Sequence, residues 1–270
     1  MKEEDTDGSL AVRVTRAGGD LTAIAARLLE KYGRSVPPPW RLVDVPPAVP
    51  EEGLTLAPGW RWLGTALAEG CVPLLPWRSE RRFQELRRLV ESRTIDPVLM
   101  CRFSCTTDGR GMDLPAVLYR EFDLAEWLTG APIRALTAAI EADRWANVIL
   151  RLESGALCSV EASTSLPPGT AMLDRHELIA RRGVACDGVV DTQLPQSSVY
   201  VFAAEGNRQY TDTDAELFGL PPGHVHLVRS AWETLSQLAR REALRQQHHR
   251  LARLVGLAGE SNRRRERLEV

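Results

Sequence analysis

Hydrophobic and polar positions alternate with two different periods along this chain, and the pattern changes near residue 78. Residues 10–16, LAVRVTR, alternate as a strand does, and AGGD at 17–20 is a turn. LTAIAARLLEKYG at 21–33 then carries apolar residues at helical spacing, with Asp20 as N-cap and Gly33 past the end. RLVDV at 41–45 predicts a short buried strand ended by Pro46 and Pro47. APGWRWLGTALAEG at 57–70 predicts a helix closed by Gly70, and the apolar run CVPLLPW follows. Strand and helix in alternation is the order of a parallel α/β layer, so residues 1–77 are read as one such layer.

Beyond it, RSERRFQELRRLVESRT at 78–94 predicts an amphipathic helix with Phe83, Leu86 and Val90 on one side and a solvated arginine face on the other. PVLMCRFSC at 97–105 reads as a strand, and AVLYREFDLAEWLTG at 116–130 as a helix stopped by Gly130. IRALTAAI (133–140), a hairpin over 145–164 turning at Ser154-Gly155, HELIARRGVACDGVV (176–190) and SVYVFAA (198–204) follow with short connections, which predicts an antiparallel sheet. A strong helical stripe runs from Val225 to Ala239. The polar segment RQQHHR at 245–250 interrupts it before LARLVGLAG resumes, so two helices are expected, and the last four residues suit a closing strand. Residues 78–270 are therefore read as an α+β domain with a large, mostly antiparallel sheet flanked by helices.

Composition narrows the class. With 270 residues, 44% hydrophobic and 26% charged, the chain has the balance of a soluble globular protein whose core needs no staples. A net charge of −2 gives bulk electrostatics no hold on nucleic acid or anionic membrane, and RRRERLEV at the end is read as strand rather than basic tail. The longest apolar runs are too short to span a bilayer and MKEEDTDGSL is no signal peptide, so a cytoplasmic protein is the default expectation. Cysteines at 71, 101, 105, 158 and 186 have no paired spacing, which fits reduced thiols. Cys101 and Cys105 would share a strand face without further ligands, and adjacent His248 and His249 on a helix diverge by about 100°. No metal site is assigned.

The helix over 116–130 is the unusual stretch. On a wheel of about 100° per residue, Arg120 falls between Leu124 and Trp127 and Glu121 between Leu128 and Ala125, so two charges lie inside the apolar arc. Arg120 could clamp a carboxylate or phosphate of a ligand. The plainer reading is that it pairs with Asp123 at i+3 or lies over Trp127. Tyr119 could donate its hydroxyl to a ligand or serve as a structural aromatic.

The order of these elements resembles the Gfo/Idh/MocA family of nicotinamide-dependent oxidoreductases, which act mostly on sugars, inositols and related polyols. DLAEWLTG is similar to the D-x3-W-L-x-G phrase that closes the family's second-domain helix. WANVILRLESGALCSVEAS resembles its A-x-V-x-L-x-F-x-x-G-A hairpin, and HRLARLVGLAGESNRRRERLEV its last helix and closing strand. The front resembles only the latter part of the family's dinucleotide domain, a shortened Rossmann-like remnant. No G-x-G-x-x-G run occurs; AGGD lacks the spacing, and Gly109 and Gly111 lack a third glycine.

The resemblance also implies catalytic positions, and the residues found there do not fit the chemistry. The family's strand-terminal Glu-Lys-Pro phrase falls on Asp44, Val45 and Pro46, so its lysine is Val45, which has no proton to give. Its Asp-x3-His phrase falls on Ala116 and Arg120, and a guanidinium does not act as general base. No catalytic or cofactor-binding residue is assigned, and Tyr119, Arg120 and Asp123 remain candidates for binding a small sugar-like ligand. The expectation is an N-terminally shortened family-like protein without hydride transfer of its own, a binding or assembly subunit. It would associate through the open sheet face, as homo-oligomer or with a full-length relative. The alternative is an NAD(P)-dependent sugar or polyol dehydrogenase whose cofactor site a partner chain completes, with Tyr119 or Asp123 moving the proton.

Overall fold

The computed structural model describes residues 21–26, 30, 39–46, 52–188, 198–203, 206–211 and 222–270. The strand expected at 10–16 and the turn at 17–20 lie outside the described residues. The chain forms two compact units, one of residues 1–76 and 220–245, the other of residues 77–219 and 246–270.

In the first unit, residues 21–26 are helical as the spacing predicts, and Leu21 and Ala25 are buried. Three parallel strands, β1 (Trp40–Leu42), β2 (Leu54–Pro58) and β3 (Cys71–Leu74), lie side by side in that order. The parallel sheet was expected, but the helix at 57–70 was not found. Its first residues, Ala57 and Pro58, close strand β2, and Gly59–Trp62 forms a single 3-10 turn. Thr55 to Pro58 are held in register against β3, so Pro58 keeps extended backbone at φ −55°, ψ 131° and only a short turn follows it; β2 is buried as a strand paired on both sides is. Helix α3 (Pro222–Leu235) packs on β2 and β3.

The second unit is built on nine strands: β4 (Val98–Thr106), β5 (Ile133–Glu141), β6 (Trp145–Leu152), β7 (Leu157–Ser163), β8 (Leu173–Ala180), β9 (Gly183–Cys186), β10 (Ser198–Ala203), β11 (Gly206–Thr211) and β12 (Leu268–Glu269). Their order is β11-β10-β9-β8-β4-β7-β6-β5-β12. All neighbours are antiparallel except β4 and β7, so the sheet is mixed rather than wholly antiparallel. Topology explains the exception. Between β4 and β7 the chain runs through helix α2 (Leu114–Thr129) and the meander β5-β6, a crossover long enough to bring β7 back beside β4 in the same direction.

Strict alternation of buried and exposed residues along β6 and β7 puts Val148, Leu150, Cys158 and Val160 into the core and Ile149, Leu157 and Trp145 outside. The expected turn is made by Gly155 at φ 88°, a value that favours glycine. Helix α1 (Arg81–Glu91) buries Phe83 and Leu86 as expected, with Leu89 rather than Val90 as the third contact. Its arginine face is not simply solvated, because Arg82 is drawn into the buried charges described below.

Helix α4 (Leu238–Arg264) corrects the expected break. The two C-terminal helices part at Ser236-Gln237, where the Ser236 and Thr234 hydroxyls donate to the Trp232 and Ser230 carbonyls, and RQQHHR lies inside α4. The polar segment is tolerated because its side chains find partners, Arg245 on the Ala68 and Cys71 carbonyls and Arg250 on Glu126. No helix among the described residues is long and apolar enough to cross a membrane.

Both ends of α2 are capped. Asp113 accepts from the Ala116 N–H at 3.0 Å, and Gly130 follows the last turn in left-handed backbone at φ 67°. Asp113→Ala is expected to cost about 1 kcal/mol, read as a lower urea midpoint at unchanged slope.

Candidate functional site

The two charges in the apolar arc of α2 are both buried, Arg120 at 2% exposure and Glu121 at 0%. Neither faces solvent. Arg120 Nη1 donates to Glu121 Oε1 at 2.5 Å, and Nη2 to Asp174 Oδ2 on β8 at 2.5 Å. Asp174 also receives both guanidinium arms of Arg82 from α1, each at 2.8 Å. Arg82 reaches Asp187, just after β9, at 3.1 Å. Asp187 Oδ2 lies 2.6 Å from His176 Nδ1, and His176 Nε2 lies 2.9 Å from Glu121 Oε2, which returns to the start. Arg120, Glu121, His176, Asp187, Arg82 and Asp174 thus form a closed ring in which each cation touches two of the ring's anions and each anion two of its cations, with Glu80 as a third carboxylate on Arg82 at 2.8 Å.

The surroundings are dry. Phe83 and Phe103 meet the His176 ring edge-on at 4.8 and 4.9 Å, and the Arg120 guanidinium lies 5.3 Å from the Phe83 ring centre. Burial disfavours every charge here, and the partners outweigh it. Glu121 is held below the usual carboxylate range by His176 and Arg120, and Asp174 by Arg82 and Arg120. Burial pushes the neighbouring Cys105 thiol up, so it stays protonated.

Next to the ring, Asp123 is a second saturated carboxylate. It accepts from Trp77 Nε1 at 2.7 Å, from Arg78 Nε and Nη2 at 2.8 and 2.5 Å, and from Gln247 Nε2 at 3.0 Å. Tyr119 is fully buried, its hydroxyl 3.1 Å from His248 Nδ1, and burial followed by the Asp123 charge raises its pKa. Arg120 therefore pairs with neither Asp123 nor Trp127. The guanidiniums over Trp127 are those of Arg78 and Arg87, at 5.7 and 4.7 Å. Ala116 is buried in the first turn of α2, and Val45 lies exposed beyond β1. The end of β2, Leu56-Ala57-Pro58, is a second strand-terminal proline phrase, and it too offers no proton donor.

Arg82, Asp174, His176 and Asp187 were not singled out from sequence, although one signal was available. Asp174 and His176 alternate with Arg175 and Glu177 along β8 and share the inner face with the buried Leu178, so a carboxylate and an imidazole sit where apolar residues belong. On the outer face, a groove of about 200 Å³ is lined by Arg102, Ser104, Ser159, Glu161, Arg175 and Glu177. There Arg102 pairs with Glu177 at 2.9 Å, and Arg175 contacts the same carboxylate. Among the described residues no group of three or more His, Cys, Asp or Glu is arranged to hold a metal, and the five thiols are buried and free.

No protein-family model and no curated protein matches the sequence. Solved structures match the fold. An Agrobacterium radiobacter oxidoreductase, solved with NAD+, L-tartaric acid and magnesium, superimposes with a TM-score of 0.58 at 16% identity, over 74% of this chain and 64% of that one. Levoglucosan dehydrogenase in its apo form gives 0.63 at 14% identity, over 80% and 73%. An oxidoreductase from Sinorhizobium meliloti gives 0.60 at 14%, over 80% and 72%. The chain has the fold of the Gfo/Idh/MocA-type oxidoreductases. It spans less than two thirds of the length of the Agrobacterium protein. Within this Gfo/Idh/MocA-type fold, α2 is the helix on which the sequence resemblance puts the proton-transfer residues, and here it carries Ala116 and Arg120.

Removing one ring member strands its partners. Arg120→Met is expected to cost about 3–5 kcal/mol, and the double variant with Asp174→Asn less than the sum of the singles, in a urea-unfolding double-mutant cycle. The folded pKa values of Glu121 and Asp174 are depressed. Their contribution is thus complete above about pH 4.5 and lost progressively below it, which thermal melts across acid pH will register.

Proposed function

We propose that this chain is a Gfo/Idh/MocA-like protein without hydride-transfer activity of its own, serving as a binding or assembly subunit. One observation carries the reading. At the position the resemblance assigns to an imidazole base stands Arg120, a permanent cation at 2% exposure with both arms on carboxylates. The guanidinium has no lone pair with which to take a proton, and both of its terminal nitrogens donate to carboxylates. Tyr119 and Asp123 are likewise engaged with His248 and with Trp77, Arg78 and Gln247, which supports a structural use for the whole helix. The surroundings of the position that the resemblance gives to the lysine support the same reading. Beyond β1, Val45 is exposed and the carboxylate of Asp44 lies 3.7 Å from Arg61, so the lysine position carries an aliphatic side chain.

Association is the second part of the proposal. The outer sheet face exposes Met100, Trp145, Ile149, Leu157 and Phe202 around a centre of paired arginines and glutamates. Such a face suits a second copy or a related full-length chain. The competing reading, a sugar or polyol dehydrogenase completed by a partner, draws on the NAD+ and NADH named with structures of the same fold. Activity that appears only when this chain is mixed with a co-purifying relative would favour it.

Calorimetric titration of the purified chain with NAD(H) and NADP(H) is expected to give no binding in the micromolar range, and micromolar binding would reject the proposal. Arg120→His is expected to lower stability by a few kcal/mol and to restore no dehydrogenase activity. In sedimentation velocity, Ile149→Glu with Leu157→Glu is expected to shift the chain from oligomer to monomer.

A further inference from the structure

The ring dictates the protonation state of His176. Nδ1 lies on Asp187 and Nε2 on Glu121, and a neutral imidazole has one N–H, not two. In the neutral form a lone pair would face one of these carboxylates, and the six ring members would hold two positive charges against three negative, with Glu80 a further carboxylate on Arg82. We propose that His176 is a proton-operated latch: its doubly protonated ring holds the β8-β9 hairpin to α1 and α2, and loss of that proton in alkaline solution opens this hairpin ahead of the rest of the sheet.

The groups that face His176 come from every element packed around it. Helix α2 supplies Arg120 and Glu121; α1 supplies Arg82, with Glu80 just before it on the same guanidinium. β8 supplies Asp174, the exit of β9 supplies Asp187, and β4 supplies the protonated Cys105 thiol. Arg175 and Glu177, its chain neighbours, point to the opposite face of β8 and pair there. Asp187 also accepts from the His176 backbone N–H at 2.6 Å, so the same carboxylate that needs the imidazole proton closes the hairpin end. Asp174, His176 and Asp187 all belong to this hairpin or its exit, whereas β5, β6 and β7 carry no ring member. The charge imbalance therefore falls on β8-β9.

Burial opposes the charge on His176, but Asp187 and Glu121 together lift its pKa to about 9. A folded value above the ordinary one near 6.5 means that the stabilisation is complete below about pH 6.5 and is lost as pH rises through about 9. Release of one proton on opening makes the opening constant rise about tenfold per pH unit between those limits.

The test follows the imidazole NMR signals of the full chain from about pH 5 to about pH 10, together with amide hydrogen exchange corrected for intrinsic rate. One histidine signal is expected to remain that of an imidazolium at about pH 8 and to be absent in His176→Gln. Protection of β8-β9 is expected to fall about tenfold per unit above about pH 7 while β5-β6 keeps its own. Should His176→Gln not fold, Glu121→Gln serves instead and is expected to move the same titration to lower pH. Titration of His176 near its ordinary value, equal loss of protection in both hairpins, or protection of β8-β9 that ignores pH would each overturn the latch.

Discussion

Six charges that close on themselves, four of them buried and Arg82 and Asp174 partly so, are the constraint around which the larger unit is arranged. Each would be costly alone, since the cost of taking an ion out of water is offset only when its remaining hydrogen-bonding capacity is met. The ring meets it by giving every ion two opposite partners, and it does so across long stretches of sequence, joining residues 82, 120–121, 174–176 and 187. An apolar core tolerates small slips between helix and sheet, because one buried methyl contact resembles another. A closed set of ion pairs does not. Turning α2 by one residue would withdraw Arg120 from Asp174 and Glu121 from His176 together. We regard the ring as setting the register of α2 against β8-β9 more than as adding net stability.

That use of α2 bears on chemistry. A helix that supplies a general base has to leave one polar group incompletely satisfied, so that a substrate can complete it. Here each polar side chain from Tyr119 to Asp123 is taken by the protein itself. The Asp123 carboxylate alone accepts four hydrogen bonds, and Glu126 is held by Arg250 and by the Ile133 N–H at 2.7 Å. The fold is shared with oxidoreductases, and on this helix the polar side chains from Tyr119 to Asp123 are bonded within the protein.

Much of this architecture could be read from the residues in order. The hairpin over 145–164, the helix stopped by Gly130 and the closing strand all follow from local periodicity and turn residues, which depend on near neighbours. So did the anomaly of Arg120 and Glu121, because a helical wheel compares only residues within a few turns of one another. What could not be read is what those charges meet. Asp174 lies 54 residues from Arg120 and His176 lies 55 from Glu121, and no local pattern pairs them. The same limit hid the parallel β4-β7 pair. The error at 57–70 was of another kind: helical spacing outweighed Pro58, although a proline at a strand end is a sound reason to doubt a helix start there. At 245–250 a run of polar side chains looked like a break because their partners, Glu126 and the Ala68 and Cys71 carbonyls, are remote in sequence.

Topology explains why the burden falls on α2. The crossover from β4 to β7 carries this helix onto the inner face of the sheet, where its neighbours are strands on one side and α4 on the other. A helix enclosed in this way has two stable compositions: apolar all round, or polar at positions where each neighbour offers a complement. The chain takes the second course, with β8-β9 answering Arg120 and Glu121, the segment before α1 answering Asp123, and α4 answering Tyr119 and Glu126. Each answer is specific to one residue. A change at a single one of these positions would therefore unbalance its neighbours, and a different side chain at Arg120 would require coordinated change at Arg82, Asp174 and Asp187 as well.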